Sequence, residues 1–347
     1  MAYSTISKPS LHFNTKLYSG NGGTQSVTGV GFQPDWVWLK RRDAAAGHKL
    51  NDAVRGVNKQ LVSNNTNAQN TDTNVLTAFG TDGFTLGNNS DVNNGSGTFA
   101  SWNWKAGGSG SANTDGSINT TVSVNTTAGF SIVKWTGTNS SGTIGHGLGT
   151  TPSVFISKSM AGNHAWGVYH KSIGIGSSTL LNSSNAPDPD SNYYGGTSPT
   201  STIMGLGNSN YTNASGDMIG YAFTEKKGYS KFGSYTGNGS TEGTFVYTGF
   251  KPAFLIWKQT NTGGQNWGLF DNKRDPHNFV SLRLPPDTND SEGSPSAAGS
   301  CDFLSNGFKW RSDFGSRNGN NGTYIYMVFA EEPLVANVGA SIPATAR

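Results

Sequence analysis

GFQPDWVWLKRRD occupies residues 31–43. A glycine and a proline set a turn, a very apolar run follows, and the run ends in positive charge. Two further stretches keep the same order of residue types: GLGTTPSVFISKS from Gly147 and GFKPAFLIWKQT from Gly249. Lys40, Lys158 and Lys258 close the three runs, about 118 and 100 residues apart. The runs are rich in β-branched and aromatic residues, which favour strands. Apolar residues fall on odd and even positions alike in Trp36-Val37-Trp38-Leu39, Val154-Phe155-Ile156 and Phe254-Leu255-Ile256-Trp257. A strand with one wet face would alternate, so these strands need cover on both faces: a sandwich core on one side, a neighbour or loop on the other.

The similarity extends outward from each run. An aromatic strand precedes it: FNTKLYSG from Phe13, FSIVKWTG from Phe130, YSKFGSYTG from Tyr229. A second strand follows it: HKLNDAVRG from His48, WGVYHKSIG from Trp166, WGLFDNKRD from Trp267. A polar loop then leads to FGTDGFTLG from Phe79, IMGLGNS from Ile203 and FLSNGFKWR from Phe303, where Asp82-Gly83 and Asn306-Gly307 signal tight turns with positive φ. Each unit closes on an aromatic strand: FASWNWKAG from Phe99, MIGYAFTEKKG from Met218, YIYMVFAEEP from Tyr324. The closing strands alternate better, through Trp102 and Trp104, Tyr221 and Phe223, Tyr326 and Val328. A repeat this long exceeds a solenoid unit of roughly 20–50 residues and reads as a small domain. The expected fold is all-β: three tandem homologous β-sandwich units, jelly-roll or lectin-like, of about six to eight strands each. They span residues 1–108, 119–228 and 229–333, with a flexible linker or long exposed turn over 107–117 and a C-terminal docking tail over 334–347.

Composition fits this reading. Gly contributes 48 of 347 residues and charged residues only 13%, yet nine Trp, twelve Tyr and eighteen Phe argue against disorder. Net charge is +3 and dispersed apart from Lys40-Arg41-Arg42; with no basic stripe interleaved with aromatics, no nucleic-acid partner is expected. No apolar run approaches the ~18 residues of a membrane span, and the N-terminus has no apolar signal region. Cys301 is the one cysteine, expected as a buried small hydrophobe. The Asn-x-Ser/Thr triplets at Asn119, Asn125 and Asn321 read as a by-product of composition.

Motifs for chemistry are absent from the sequence: no paired-cysteine or paired-histidine metal motif, no P-loop and no nucleophile elbow. The expectation is no catalytic residues, no metal and no cofactor. Asp52-x-x-Arg55 recurs as Asp271-x-x-Arg274, with His170 and Ile173 in the same places of the second unit; a local ion pair outweighs a catalytic carboxylate there. Asp188 and Asp190, and residues 287–290, read as solvated loops rather than Ca²⁺ sites. Tyr193, Tyr194 and Trp310, read as loop aromatics, are the candidate binding residues, their rings offered to the apolar faces of sugars.

GFQPDWVWLKRRD, FASWNWKAGG, TDGSINTTVSVNTTAGFSIVKWTG, TIGHGLGTTPSVFISKS and YMVFAEEPLVANVGASIPATAR together resemble a family of β-rich proteins of marine bacteriophages, of the cyanophage and pelagiphage type. The resemblance covers nearly the whole chain. It implies a virion structural or tail-fibre-like protein, assembled in the host cytoplasm, with other virion proteins and a host-surface glycan as partners; it supplies no catalytic residues. A homo-oligomer of three-fold symmetry fits a fibre, and three units in one chain could equally stand in for a trimer. A capsid-decorating protein without host contact and a glycan depolymerase are the alternatives.

Overall fold

The structure, a computed structural model, describes residues 4–293 and 299–335. It is all-β, with helix confined to single turns such as Ser90–Asn93 and Gly315–Asn318. Three segments of the chain repeat one antiparallel strand order. In each large sheet the closing strand lies between the opening and second strands, and the third strand pairs with the second. The opening strands are Phe13–Ser19, Phe130–Gly137 and Ser230–Thr236; the second strands, which contain the lysine-ended runs, are Trp36–Arg41, Val154–Ser159 and Phe250–Gln259. The third strands are Lys49–Asp52, Gly167–His170 and Gly268–Asp271; the closing strands are Thr98–Trp104, Gly216–Phe223 and Thr323–Pro333. Extra edge strands widen the first sheet to six and the second to eight, while the third has four. One of them, Ser111–Asn113, lies inside the expected linker and pairs with Thr120–Asn125, so that stretch is sheet edge.

A smaller sheet faces each large one, of three, two and three strands. The sheets are thus unequal, unlike a balanced jelly roll, and the strand total falls in the expected six to eight only in the third segment. The small sheets turn sharply at Gly80–Gly83 and Leu304–Gly307, where two residues link paired strands. The turns are as tight as expected, but Gly83 and Gly307 begin the return strands, and of the two only Gly83 has positive φ. Close approach explains both glycines: a Cβ at Gly83 would lie 1.9 Å from the Val27 carbonyl oxygen, and one at Gly307 would lie 2.1 Å from that of Val246.

Each pair of sheets encloses its own core. Val37 and Leu39 meet Val27 and Phe84; Phe155 meets Ile144 and Met204; Leu255 and Trp257 meet Val246, Phe308 and Trp310. The opposite faces of the three large sheets meet in a fourth core shared by all segments, built from Trp36, Trp38, Trp102, Trp104, Phe130, Ile156, Tyr221, Phe223, Phe254, Ile256 and Phe329 among others. Rings touch across every boundary: Trp36 on Tyr221 at 4.3 Å, Trp104 on Phe254 at 5.6 Å, and Phe223 on Phe329 at 5.9 Å between centroids. This is why the second strands are apolar on both faces. The closing strands, each central in its sheet, are buried on both faces as well, against the alternation expected. In the third it is Met327 and Phe329 that enter the shared core, while Tyr326 and Val328 face the local one. The segments are therefore three walls around one interior rather than free-standing domains.

The walls are joined in a cycle. The loop after the third strand of one segment docks on the turn after the second strand of the next. Gln69 N–H donates to the Met160 carbonyl at 3.0 Å, Gln265 N–H to Ser184 at 3.2 Å, and Ala46 N–H to Asn289 at 2.9 Å. The three lysines sit at these joints, fully buried. Lys40 Nζ donates to Ala46 and Asn289, Lys158 Nζ to Ser159 and Gly162, and Lys258 Nζ to Gln265 and Ser184. Carbonyl dipoles thus stand in for water around each ammonium.

The Asp-x-x-Arg pairs lie at the same joints. Asp52 binds Arg55 and accepts the Tyr221 hydroxyl of the second segment at 2.8 Å. Asp271 binds Arg274 at 2.5 Å and accepts the Trp102 indole N–H of the first segment at 3.0 Å. Met327 pairs with Ile256 as Trp102 does with Trp38 and Tyr221 with Ile156, and it offers no donor. The facing residue is His170, whose Nε2 lies 3.2 Å from the Tyr326 carbonyl oxygen. The segment without the ion pair is thus also the one whose neighbour offers no side-chain donor at this place. The pairs are local and structural, as expected, each joining a strand end to the turn after it; they are also fully buried, and each carboxylate takes a further hydrogen bond from a neighbouring segment.

Candidate functional site

The loop aromatics singled out in the sequence are interior. Tyr193 and Tyr194 are 2% and 0% exposed in the second segment's core, the first donating to Asp188 at 2.7 Å and the second paired with Ser178 at 3.2 Å. Trp310 ends a strand and packs on Trp257 and Phe308. Their ring faces are covered, so none can stack on a sugar. Their apolar bulk fills the local cores of the second and third segments. Asp190 caps the turn at Ser191–Tyr193 by accepting Asn192 N–H. Asp287 is not solvated: burial pushes its carboxyl up to about 6. Cys301 is buried. Among the described residues no three His, Cys, Asp or Glu side chains gather as a metal site, and no helix is long and apolar enough to cross a membrane.

The exposed aromatics lie elsewhere. Among the described residues four large rings face solvent, Phe245, Tyr247, Phe279 and Phe314, and all belong to the third segment. Phe245 and Tyr247 flank Val246 on the edge strand of its small sheet. Val246 points inward and pairs with Phe308, as Val27 pairs with Phe84 and Ile144 with Met204. That register aligns the three strands. Where the third segment has Phe245 and Tyr247, the first has Ser26 and Thr28 and the second Thr143 and Gly145.

Charged groups surround these rings. Lys309 stands opposite Phe245 and Asp302 opposite Lys309. Glu242 bridges Lys309 at 2.6 Å and Arg311 at 2.8 Å, and Arg311 binds Asp302 at 2.6 Å. The hydrogen bond from Lys309, and the charges of Lys309 and Arg311, hold the Glu242 carboxyl below its ordinary range. Lys231 reaches over the Tyr247 ring, 5.4 Å from its centroid. A cleft of about 570 Å³ adjoins Tyr247 and Lys231, and another of about 560 Å³ lies between Phe279 and the Glu242–Arg311–Asp302 network. Both fall in the volume range of small-ligand sites, roughly 300–1,000 Å³.

The charged residues are as particular to this segment as the rings. Six residues separate Ser19 from Ser26 and Thr136 from Thr143, but eight separate Thr236 from Phe245, and the longer turn carries Glu242. Arg311 follows Trp310 where Gly87 follows Leu86 and Gly207 follows Leu206. What holds the turn is shared. Asn318, fully buried, donates through Nδ2 to Asn238, Ser240 and Ser312, as buried Asn93 does to Asn21, Gly23 and Gly87, and Asn213 to Thr138 and Ser140. Sequence reading missed this face because a strand exposing Phe and Tyr looks like one burying them. The available signal was the contrast with Ser26-Val27-Thr28 at the same place in the repeat.

Residues 8–333 match the model of a family described as a domain of unknown function, DUF7483. The chain belongs to that family, and the match takes in all three segments as one unit. No curated protein and no solved structure matches the chain. The expected C-terminal docking tail lies beyond Val335, outside the described residues, apart from Leu334 and Val335.

Proposed function

We propose that this DUF7483 member is a structural component of a tailed-phage virion, a tail-fibre or appendage protein that contacts the host surface through the outer face of its third segment. The carrying observation is the asymmetry of exposed rings: three segments share one scaffold, and one of them presents all four solvent-facing aromatics among the described residues. Exposed aromatic groups on an otherwise polar surface mark recognition sites. The remaining support is the resemblance to marine-phage virion proteins and a scaffold locked by a shared aromatic core. Gold-labelled antibody imaging of purified particles tests placement. Label at the distal tail or on fibres is expected; label spread over the capsid would assign decoration instead, and absence of label from intact particles would overturn the reading. Binding of the purified chain to host cells, blocked by free sugars, tests contact.

A further inference from the structure

We infer that the cleft beside Phe279 is a saccharide subsite, in which a pyranose lays its apolar face on the Phe279 ring while Glu242, Arg311 and Asp302 hold its hydroxyls. The inference rests on the host-surface reading and gives that contact a chemical class.

Phe279 is 42% exposed, yet its backbone is pinned on both sides. Asn278 donates through Nδ2 to the Phe303 carbonyl at 3.0 Å and accepts Phe303 N–H through Oδ1 at 2.9 Å. Val280 and Cys301 exchange both backbone hydrogen bonds, at 2.8 and 2.9 Å. The ring's backbone is therefore fixed before any ligand arrives, which lowers the ordering cost of binding. The facing wall is fixed too: Asn238 donates to the Glu242 carbonyl at 2.9 Å, and Glu242 N–H donates to Ser240 at 3.1 Å.

Charge balance selects the ligand. Glu242 and Asp302 are matched by Lys309 and Arg311 within one network. An anion would meet an arginine already held by two carboxylates, and a cation would meet a carboxylate already held by two bases. A neutral, polyhydroxylated ring suits such a site. Its hydroxyls both donate and accept, and a carboxylate has about four lone-pair positions, of which Glu242 commits two to protein donors. Arg311 uses Nε and Nη1, and Nη2 meets no protein acceptor among the described residues. The carbohydrate C–H face matches the one ring in the cleft. The first segment is an internal control, with exposed Val57 ahead of Asn58, whose N–H bonds Leu76 as Val280 N–H bonds Cys301, and with Gly87 in the place of Arg311.

The test is saturation-transfer NMR on the full chain with the methyl glycosides of glucose, galactose, mannose and N-acetylglucosamine as probes. At least one should receive saturation, strongest on the C–H protons of one ring face. Phe279→Ala should abolish the transfer, Arg311→Lys should weaken affinity about tenfold, and Val57→Ala, the exposed side chain at the corresponding place of the first segment, should leave it unchanged. Transfer to none of the four, or transfer that survives Phe279→Ala, overturns the inference. The lysine variant keeps the charge and carries the test if Phe279→Ala fails to fold. Host-cell binding by wild type separates the two readings. Cell binding without saccharide transfer removes the subsite and leaves host contact standing; saccharide transfer without cell binding does the reverse.

Discussion

The small sheets of the first and third segments follow the same path and are used oppositely. Their inward residues correspond, Val27 with Val246 and Phe84 with Phe308, and so do the buried asparagines that hold their turns, Asn93 and Asn318. Their outward residues share nothing: Ser26 and Thr28 against Phe245 and Tyr247, Gly87 against Arg311. Interior positions repeat because each must fill the same space and satisfy the same hydrogen bonds. Outward positions answer to no such constraint, so divergence there is where specialisation is to be sought.

The most damaging way to break the comparison is at the joints, which every wall depends on. Arg274→Met leaves the buried Asp271 carboxylate unpaired and should cost about 3–5 kcal/mol in urea unfolding. Less costly, and more informative, is the pair Asn318→Ala and Asn93→Ala. Asn318→Ala removes five side-chain hydrogen bonds and Asn93→Ala four, each from a buried turn, and each should cost about 1–3 kcal/mol. Only Asn318→Ala should also weaken host-cell binding, since its turn carries Glu242; equal losses of binding would sink the claim that the third face is special. The smallest expected effect on stability is that of Phe245→Ser with Tyr247→Thr, which installs the first segment's residues. Unfolding should shift by less than about 0.5 kcal/mol per site, while cell binding falls sharply.

Titration probes the joints without mutation. His170 is buried neutral, its imidazole pushed down from 6.5 to about 4 by desolvation, and burial lowers His48 and His146 as well. As pH falls below 6.5 the unfolded chain takes up these protons and the folded chain does not, so stability is lost between 6.5 and about 4. Burial also lowers Lys40, Lys158 and Lys258 from 10.5 to about 8. Above 8 the folded chain releases protons that the unfolded chain still holds, so stability rises with pH. Near 10 the trend reverses, because phenols such as Tyr221, raised by burial, ionise in the unfolded chain only. Thermal unfolding across pH 4–11 should show both slopes; a melting temperature flat from 8 to 9.5 would mean the lysines are not desolvated as described.

Much of the architecture was legible. The opening, second and closing strands of all three segments lie within a residue or two of where aromatic and β-branched runs place them, because strand-forming side chains and Gly/Pro turns are local signals. Double-sided burial of Trp36–Leu39 was legible for the same reason. What covers the second face was not, since a shared core is a long-range fact that no window of sequence contains. Residues 107–117 look like a linker by composition, yet Ser111–Asn113 pairs as a strand through backbone groups that every residue has. The site was largely illegible. Tyr193, Tyr194 and Trp310 sit in or near polar stretches, but their rings turn inward, whereas Phe245 and Tyr247 lie in an unremarkable strand and turn outward. Orientation is set by register, which only the pairing with Gly307–Trp310 fixes.

The closed cycle of three unlike walls also bears on valence. A ring made from three copies of one short chain would repeat every surface residue three times and be trivalent for whatever it touches. Here one covalent chain closes the ring, and among the described residues only one wall in three carries exposed rings. If that face makes the contact proposed above, each chain is monovalent through it, and any gain from avidity must come from how many chains are displayed together and how they are spaced.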